Sequence, residues 1–188
     1  MSAASRSTGK RATRPARGAG DVAIRRLPRS ARAAVERILN DTNSFRADEV
    51  TVALEVLDAF FADPEQDYTA LGAFSQDGSL LGYVCYGRTP CTLGTWDLYW
   101  IAVSPDCQRT GVGTHLLQEV ERRLARDEAR LVIIETSSQP GYAPTRAFYE
   151  RHGYEQVARV PDFYAPGDDR LIFTKRLDSS STGKDGAS

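Results

Sequence analysis

Long apolar runs are missing from this chain of 188 residues. Apolar runs such as Ile101–Val103, the end of the segment Leu98–Val103, and Leu131–Ile134 are far shorter than the roughly 20 residues that a membrane-spanning helix needs. The N-terminus also lacks the apolar stretch of a signal peptide. These absences predict a soluble, cytoplasmic protein without a membrane partner.

Cysteine and histidine are also scarce. The three cysteines, Cys85, Cys91 and Cys107, are odd in number and do not have the spacing of metal ligands, so we expect reduced thiols and no disulfide framework. The two histidines, His115 and His152, have no cysteine, aspartate or second histidine at metal-binding spacing. The sequence therefore predicts no metal site.

Charge is nearly balanced over the whole chain, with a formal net charge of −1, but it is unevenly distributed. Residues 1–20 carry five basic side chains and no acid, a charge of +5, which leaves −6 for the remainder. The compositions of residues 1–20 and 178–188 predict disordered tails around one domain at residues 21–177. Because no aromatic residue interrupts the basic tail, a solvated extension is favoured over a nucleic-acid contact.

The patterns of apolar residues predict one mixed sheet of about seven strands with about four helices, an α/β (α+β) fold. Strands are predicted at Val22–Leu27, Tyr68–Phe74, Leu80–Tyr86, Thr95–Val103, Leu131–Glu135, Tyr154–Val160 and Leu171–Lys175. Helices are expected after Pro28, after an N-cap at Asp48, over Thr114–Arg126, and around Pro144. The strands that flank the third helix imply a right-handed parallel crossover. Pro161–Asp169 is predicted to be a loop.

The segment Gln108–Gly113 is the most informative part of the sequence. It lies between a predicted strand and a predicted helix, and its two glycines, Gly111 and Gly113, let backbone N–H groups approach a ligand closely. The positive end of the helix dipole adds to their attraction for anionic oxygens. The spacing of the glycines is neither that of a dinucleotide-binding turn nor that of a P-loop. We therefore expect a phosphate site; the turn alone leaves nucleotides and coenzyme A open as ligands, with the pyrophosphate of coenzyme A as the first guess.

Two motifs resemble those of the GNAT superfamily of acyl-CoA-dependent N-acyltransferases. The segment from Leu98 to Pro105, running into Gln108–Gly113, resembles the superfamily's apolar strand followed by Val-x-Pro and Gln/Arg-x-x-Gly-x-Gly/Ala. The segment from Arg146 to Tyr154 is similar to its Ala-x-x-Phe-Tyr-Glu-x-x-Gly-Phe helix end. The resemblance covers about residues 22–177. It implies acetyl-CoA as the acyl donor and the GNAT fold, a mostly antiparallel sheet in which two central parallel strands splay apart.

The resemblance also implies how the coenzyme is held. The pantetheine arm would lie between Thr95–Val103 and Leu131–Thr136 and pair with backbone groups of Ile101 and Val103. The implied coenzyme contacts are Ile101, Ala102, Val103, Gln108, Arg109, Thr110, Gly111, Val112, Gly113, Thr114 and Phe148. Among these, the N–H groups around residues 109–114 would meet the pyrophosphate, and Gln108 and Arg109 would add side-chain donors.

Acyl transfer to an amine needs a neutral nitrogen, a polarised thioester carbonyl and a proton for the departing thiolate. Tyr149 matches the family's general acid, and a phenol suits this role because its usual pKa is close to that of a thiol leaving group. Glu135, at the end of a predicted strand, is the candidate general base and would act through water. A backbone N–H at a strand bulge near Ala102 or Val103 would meet the thioester oxygen.

Both catalytic assignments have structural alternatives. Tyr149 would be a packing residue of an aromatic helix face if it has no catalytic part. Glu135 would only shape the cleft if bulk water, Asp97 or Glu55 takes the proton. An extra Pro-Gly turn within residues 138–143 makes the separation of Glu135 and Tyr149 longer than in the family's pattern.

The acceptor site is predicted from aromatic and acidic residues. The candidate substrate contacts are Tyr99, Tyr86, Glu55 and Tyr164, with the predicted loop at Pro161–Asp169 closing over them. Further candidates for its walls are Tyr83, Trp100, Tyr142, Asp162 and Phe163. Such a set favours a small cationic amine or an amino acid, through ion pairs and cation–π contacts.

The sequence thus predicts an N-acetyltransferase that moves acetyl from acetyl-CoA to a primary amine of a small molecule or amino acid, by direct attack in a ternary complex. Two alternatives remain open: acetylation of a protein N-terminus or lysine, and a non-catalytic acyl-CoA-binding module. The resemblance also suggests a homodimer, because dimers are frequent among similar proteins.

Overall fold

One seven-stranded sheet organises the protein. The computed structural model describes residues 22–63 and 67–177, so the predicted tails at residues 1–20 and 178–188 lie outside the described residues. The strands are β1 (Ala23–Arg26), β2 (Thr69–Phe74), β3 (Leu80–Arg88), β4 (Thr95–Val103), β5 (Leu131–Ser137), β6 (Glu155–Ala165) and β7 (Asp168–Arg176). Their order is β1-β2-β3-β4-β5-β7-β6. Neighbours are antiparallel except β4 and β5, which are parallel. This confirms the predicted fold class.

Within residues 22–63 and 67–177, four α-helices cover the two faces of the sheet. They are α1 (Arg32–Asp41), α2 (Ala47–Ala62), α3 (Val112–Arg126) and α4 (Ala143–Arg151). The apolar stripes of α1 and α2 form one core cluster with residues of β2 and β3. The α3 stripe of Leu116, Leu117, Val120 and Leu124 is fully buried in the other cluster, which also contains Tyr149 of α4. Within the described residues, no helix combines the length and apolarity needed to cross a membrane.

The start of α2 differs from the sequence prediction. The N-cap is Arg46 rather than Asp48, which lies in the first turn of the helix. The Glu49 carboxylate accepts a hydrogen bond from the Arg46 backbone N–H at 2.7 Å. A glutamate at the third helical position therefore satisfies this amide, the reciprocal half of a capping box, and the helix begins earlier than an aspartate N-cap would allow.

The two parallel strands separate partway along their length. Their pairing runs from Thr95 with Leu131 to Leu98 with Ile134 and then stops. Beyond that point β4 stays paired with β3 as far as Val103, and β5 stays paired with β7. The sheet therefore contains a wedge between the carboxyl ends of β4 and β5, as the predicted splay requires.

A bulge in β4 lies at the beginning of this wedge. Cys85 of β3 pairs with Trp100, whereas the next residue, Tyr86, pairs with Leu98, so Tyr99 is the extra residue. The predicted position of the bulge, near Ala102 or Val103, is therefore wrong. The irregularity of β4 lies earlier on the strand, at Tyr99 between Leu98 and Trp100.

The C-terminal hairpin corrects a second expectation. Most of the predicted loop Pro161–Asp169 is strand, because β6 continues to Ala165 and β7 begins at Asp168. Asp162 has a positive φ of 51° at an irregularity of the pairing; its N–H donates to the Asp169 carboxylate at 2.9 Å, and its own carboxylate accepts from the Gly167 N–H at 2.7 Å. These bonds hold a bulged hairpin together, so this segment is not a loop that closes over the site.

Candidate functional site

The glycine turn connects β4 to α3 through a sharp reversal of the backbone. Arg109 and Gly111 both have positive φ, 61° and 92°, and only glycine adopts this region without steric cost. The first amide to reach back into the helix is that of His115, which donates to the Gly111 carbonyl at 3.0 Å. The amides from Gly111 to Thr114 precede it and have no acceptor within the helix. The turn thus has the donor geometry of an anion site.

Space beside this turn is kept by a second glycine. A β-carbon built on Gly113 would lie 3.6 Å from the Phe148 ring and 3.6 Å from the Val103 side chain, which is ordinary contact distance. Packing within the protein therefore does not require glycine here. What its absent side chain provides is room between Val103 of β4 and Phe148 of α4.

The residues predicted to contact the coenzyme fall into three groups. Ala102 and Val112 are buried. The partly buried group comprises Ile101, Val103, Thr110, Gly111, Gly113, Thr114 and Phe148. Gln108 and Arg109 are exposed beside the turn. The Thr110 hydroxyl donates to the Cys107 carbonyl at 2.6 Å, so this side chain braces the turn.

A cavity of about 570 Å³ lies where β4 and β5 diverge, and we call it the cleft cavity. Its walls come from the connection before α2, the first turns of α2, both diverging strands, α4 and β6. Its aromatic lining consists of Phe45, Tyr68, Tyr99, Trp100, Tyr142, Tyr149 and Tyr164; its charged lining consists of Arg46, Asp48, Glu49, Asp97 and Glu135. This volume is in the range of small-molecule sites.

Tyr149 lies at the inner wall of the cleft cavity. Its side chain is only 4% exposed and packs against Phe148, Tyr154 and Phe173, with ring centroids 5.5 to 6.4 Å away. Burial raises the pKa of its phenol above the usual value, because the charged form would be poorly solvated. The group therefore keeps its proton at neutral pH.

Glu135 lines the same cavity from β5. Its carboxylate forms an ion pair with Arg170 of β7, and the Arg170 guanidinium carbon lies 4.8 Å from the centroid of the Phe163 ring. The structure thus brings together Tyr149, Glu135 and two of the predicted substrate contacts, Tyr99 and Tyr164.

Two predicted substrate contacts lie elsewhere. Tyr86 is buried in the core cluster that includes the α3 stripe, with its ring centroid 6.1 Å from that of Trp96. Glu55 is exposed on α2 and is not among the lining residues of the cleft cavity. Of the wider candidates, Tyr83 is fully buried, and Asp162 stabilises the C-terminal hairpin. These predictions of substrate contact are therefore not supported by the placement of the side chains.

A charged cluster at the N-terminal end of α2 was not predicted from the sequence. The Arg46 guanidinium lies 3.2 Å from Asp48, 3.9 Å from Glu49 and 3.8 Å from Asp168. The Tyr142 hydroxyl donates to Glu49 at 2.8 Å; burial and this bond to a carboxylate both raise the Tyr142 pKa. From the sequence, the segment before α2 can be recognised only as the start of a helix, because no nearby residue indicates that this segment faces β4.

Asp97 occupies the opposite side of the lining. Its carboxylate accepts a hydrogen bond from the Thr89 hydroxyl at 2.6 Å. Burial, and next the charge of Asp97, raise the pKa of neighbouring Tyr99 to about 12. Asp97 is thus a fixed negative charge beside an aromatic wall. Across the described ranges there is no group of three or more histidine, cysteine or acidic residues that could hold a metal ion.

The glycine turn lies beside the helix that carries Tyr149, since a β-carbon on Gly113 would be 3.6 Å from the Phe148 ring and the Thr114 hydroxyl is 3.1 Å from His152 Nε2. The family model described as "Acetyltransferase (GNAT) family" matches residues 32–154. The chain therefore belongs to the GNAT acetyltransferase family.

Individual relatives agree with this assignment. A GNAT-family protein from Desulfovibrio desulfuricans superposes with a TM-score of 0.79 and is 40% identical, covering 84% of this chain and 100% of that chain. An acetyltransferase structure from Salmonella typhimurium, solved with acetyl-CoA, has a TM-score of 0.66 at 18% identity and covers 89% and 100% of the two chains; it is similar in fold alone.

Curated relatives match over shorter stretches. The S-(2-succino)cysteine N-acetyltransferase of Bacillus subtilis is 29% identical over 83 residues, which is 42% of this chain and 50% of that protein. For an N-acetyltransferase of Methanocaldococcus jannaschii, 27% identical over 101 residues, the shares are 53% and 62%. The matched part is thus about half or somewhat more of these proteins' lengths.

Proposed function

We propose that this protein transfers the acetyl group of acetyl-CoA to a primary amine of a small molecule. The observation that carries the proposal is the position of Tyr149, which lines the cavity where β4 and β5 diverge and belongs to the helix whose Phe148 lies beside the glycine turn. A coenzyme whose pyrophosphate sits at the turn would extend its pantetheine arm between β4 and β5 and bring its thioester toward Tyr149.

Each step of the proposed reaction is assigned to a group of the chain. Glu135 accepts, through water, the proton that the ammonium form of the acceptor must lose before its nitrogen can attack. A backbone N–H of the bulge around Tyr99 and Trp100 donates to the thioester oxygen as its negative charge grows. When the new C–N bond has formed and the C–S bond breaks, the Tyr149 phenol donates its proton to the thiolate. The nitrogen loses its second proton as the amide forms, and that proton returns through solvent to the Tyr149 phenolate. The balanced products are the N-acetylated amine, coenzyme A thiol and one proton.

The dimensions of the cleft cavity favour a small acceptor over a protein substrate. Its volume of about 570 Å³ is that of a small-molecule pocket, and α2 and β6 both contribute walls. A peptide acceptor would need an open groove along which several residues could lie. A side chain or N-terminus of a protein is therefore the second candidate.

The test is release of coenzyme A thiol from acetyl-CoA by the purified full chain, measured with a thiol reagent over a panel of amines, amino acids, polyamines, aminoglycosides and peptides. Release that depends on a small amine, with the N-acetyl product seen by mass spectrometry, is the expected result. Release with peptides alone would support the protein-acetyltransferase alternative. Binding of acetyl-CoA without release for any acceptor would overturn catalysis in favour of a binding module.

A further inference from the structure

The charges that line the cleft cavity are unequal. Four carboxylates face it, from Asp48, Glu49, Asp97 and Glu135, against one guanidinium, that of Arg46. Glu135 is paired with Arg170, which is not among the lining residues, so the unequal charge comes mainly from the other three acids. This cation already has acidic neighbours at 3.2, 3.9 and 3.8 Å. Among the described lining residues, no positive side chain is left to pair with an anionic group on the acceptor.

The helix start at this wall already has acidic neighbours from the chain itself. The start of α2 carries the partial positive charge of a helix N-terminus, which ordinarily attracts a carboxylate. Here the carboxylates come from the chain itself. The Glu49 carboxylate accepts a hydrogen bond from the Arg46 backbone N–H at 2.7 Å, and both Asp48 and Glu49 lie in the first turn. The Arg46 guanidinium also lowers the pKa of Asp48, so this carboxylate stays ionised. A substrate carboxylate placed here would be repelled.

The rest of the lining combines seven aromatic rings with aliphatic and hydroxyl-bearing side chains. Phe45 and Trp100 make an edge-to-face pair at 5.7 Å, and Tyr68 and Tyr99 another at 5.4 Å. The cation–ring contacts found in the described part of the chain involve other rings, those of Phe74, Phe60, Trp96, Phe163 and Tyr154. Rings close to ionised carboxylates favour a positively charged group with an apolar body.

We propose that the acceptor is a cationic amine with an apolar or aromatic body and no carboxylate. This inference rests on the proposed function and names the acceptor class for the same site. The amine would be drawn in by Asp97 and the acids of α2, with its body against the aromatic walls. An α-amino acid would carry the same amine but place its carboxylate among four others.

Matched pairs of acceptors that differ only by the carboxylate test this directly. Phenethylamine is compared with phenylalanine, and cadaverine with lysine, by kcat/KM for coenzyme A release. At least a tenfold preference for the decarboxylated member of each pair is expected, on the order of one ion-pair interaction. S-(2-succino)cysteine, the substrate in the name of the Bacillus subtilis relative, is expected to be poorer still. Equal or higher kcat/KM for the amino acids would overturn the inference.

Two variants test whether the cleft cavity causes the preference for amines without a carboxylate. Asp97→Asn keeps an acceptor for the Thr89 hydroxyl but removes one charge, so the preference for phenethylamine over phenylalanine should shrink several-fold. Asp41→Asn makes the same change at an exposed position at the end of α1 and should leave the preference unchanged. An undiminished preference in Asp97→Asn would remove Asp97 from the recognition of the acceptor.

A binding experiment distinguishes failure of this inference from failure of the proposed function. Calorimetric titration of the chain, saturated with coenzyme A, compares binding of phenethylamine and phenylalanine without any turnover. Binding of the amine alone would support the acceptor class even if no acetyl transfer occurred, whereas equal binding or no binding of either compound at millimolar concentration would overturn it.

Discussion

Tyr149 combines a polar tip that lines the cleft cavity with a ring held among other aromatic side chains. Its packing against Phe148, Tyr154 and Phe173 fixes the direction of the phenol. Burial alone raises its pKa, and a group that keeps its proton at neutral pH is suited to give it to a stronger base such as a departing thiolate.

Tyr149→Phe should therefore slow turnover by about 100-fold or more, the usual contribution of a general acid. The affinity for acetyl-CoA should remain nearly unchanged, because the phenylalanine ring keeps the packing. The measurement is kcat for coenzyme A release together with the dissociation constant of acetyl-CoA. Tyr154→Phe is the matched control, since its ring lies 5.9 Å from that of Tyr149 and is buried in the same core; it should retain kcat. Unchanged turnover in Tyr149→Phe would leave the residue a packing role only.

Glu135 is the residue for which pH is the informative variable. If its carboxylate takes the amine proton, Glu135→Gln should lose about 100-fold in kcat at neutral pH and recover part of it at higher pH, where the amine deprotonates in solution. The measurement is the pH–rate profile of both proteins with one amine. Glu155→Gln, an exposed site on β6, should follow the original profile. An equal fractional loss at every pH would indicate that Glu135 only shapes the cleft.

At the scale of elements, the turn before α3 depends on one backbone conformation. Gly111 has φ of 92°, and a β-carbon there would meet nothing closer than His115 at 3.9 Å. The cost of a side chain is therefore conformational rather than steric, about 1–2 kcal/mol, and relief of that strain would tilt the amides that face the anion.

Gly111→Ala should accordingly weaken acetyl-CoA binding by about tenfold, the equivalent of about 1.4 kcal/mol. Gly78→Ala provides the comparison, because Gly78 has a similar φ of 79° at the β2–β3 hairpin and open space around it. Both variants should lower the midpoint of thermal unfolding, and only the first should change the dissociation constant of acetyl-CoA measured by calorimetry. Equal affinities in the two variants would argue against the turn as the pyrophosphate site.

Elements whose shape is set locally could be predicted from the sequence, and elements set by distant pairing could not. The glycine turn and the helix with Tyr149 could be predicted because the residues that define each of them lie only a few positions apart. Strand β4 has the predicted bounds. Pro161–Asp169 was expected to be a loop because proline, glycine and aspartate favour turns, yet its pairing with β7 makes it strand. The bulge at Tyr99 interrupts the alternation of side chains between the two faces of β4. The face to which each side chain near the wedge points therefore could not be predicted from the sequence.

At the scale of the whole molecule, buried tyrosines make stability depend on alkaline pH. Burial raises the pKa of Tyr83, Tyr86, Tyr149 and Tyr154, whereas in the unfolded chain each titrates near 10. Above that pH the unfolded state releases these protons and the folded state holds them, so the free energy of unfolding falls as pH rises. Each such tyrosine contributes a slope of up to about 1.4 kcal/mol per pH unit.

Urea unfolding at pH 8, 10 and 11 measures this slope. The midpoint is expected to change little between pH 8 and 10 through these groups and to fall steeply above 10. Tyr83→Phe, which removes a fully buried phenol, should make the fall shallower. A midpoint that stays constant above pH 10 would contradict the raised pKa values.

The wedge in the sheet also has a mechanical meaning. Strands β1 to β4 and strands β5 to β7 are two half-sheets, and the ladder between them has four residue pairs. Such a seam is the natural place for the two halves to open independently. A ligand arm lying between them like an added strand would bridge the halves, so the stiffness of the molecule would rise and fall with each round of loading and release.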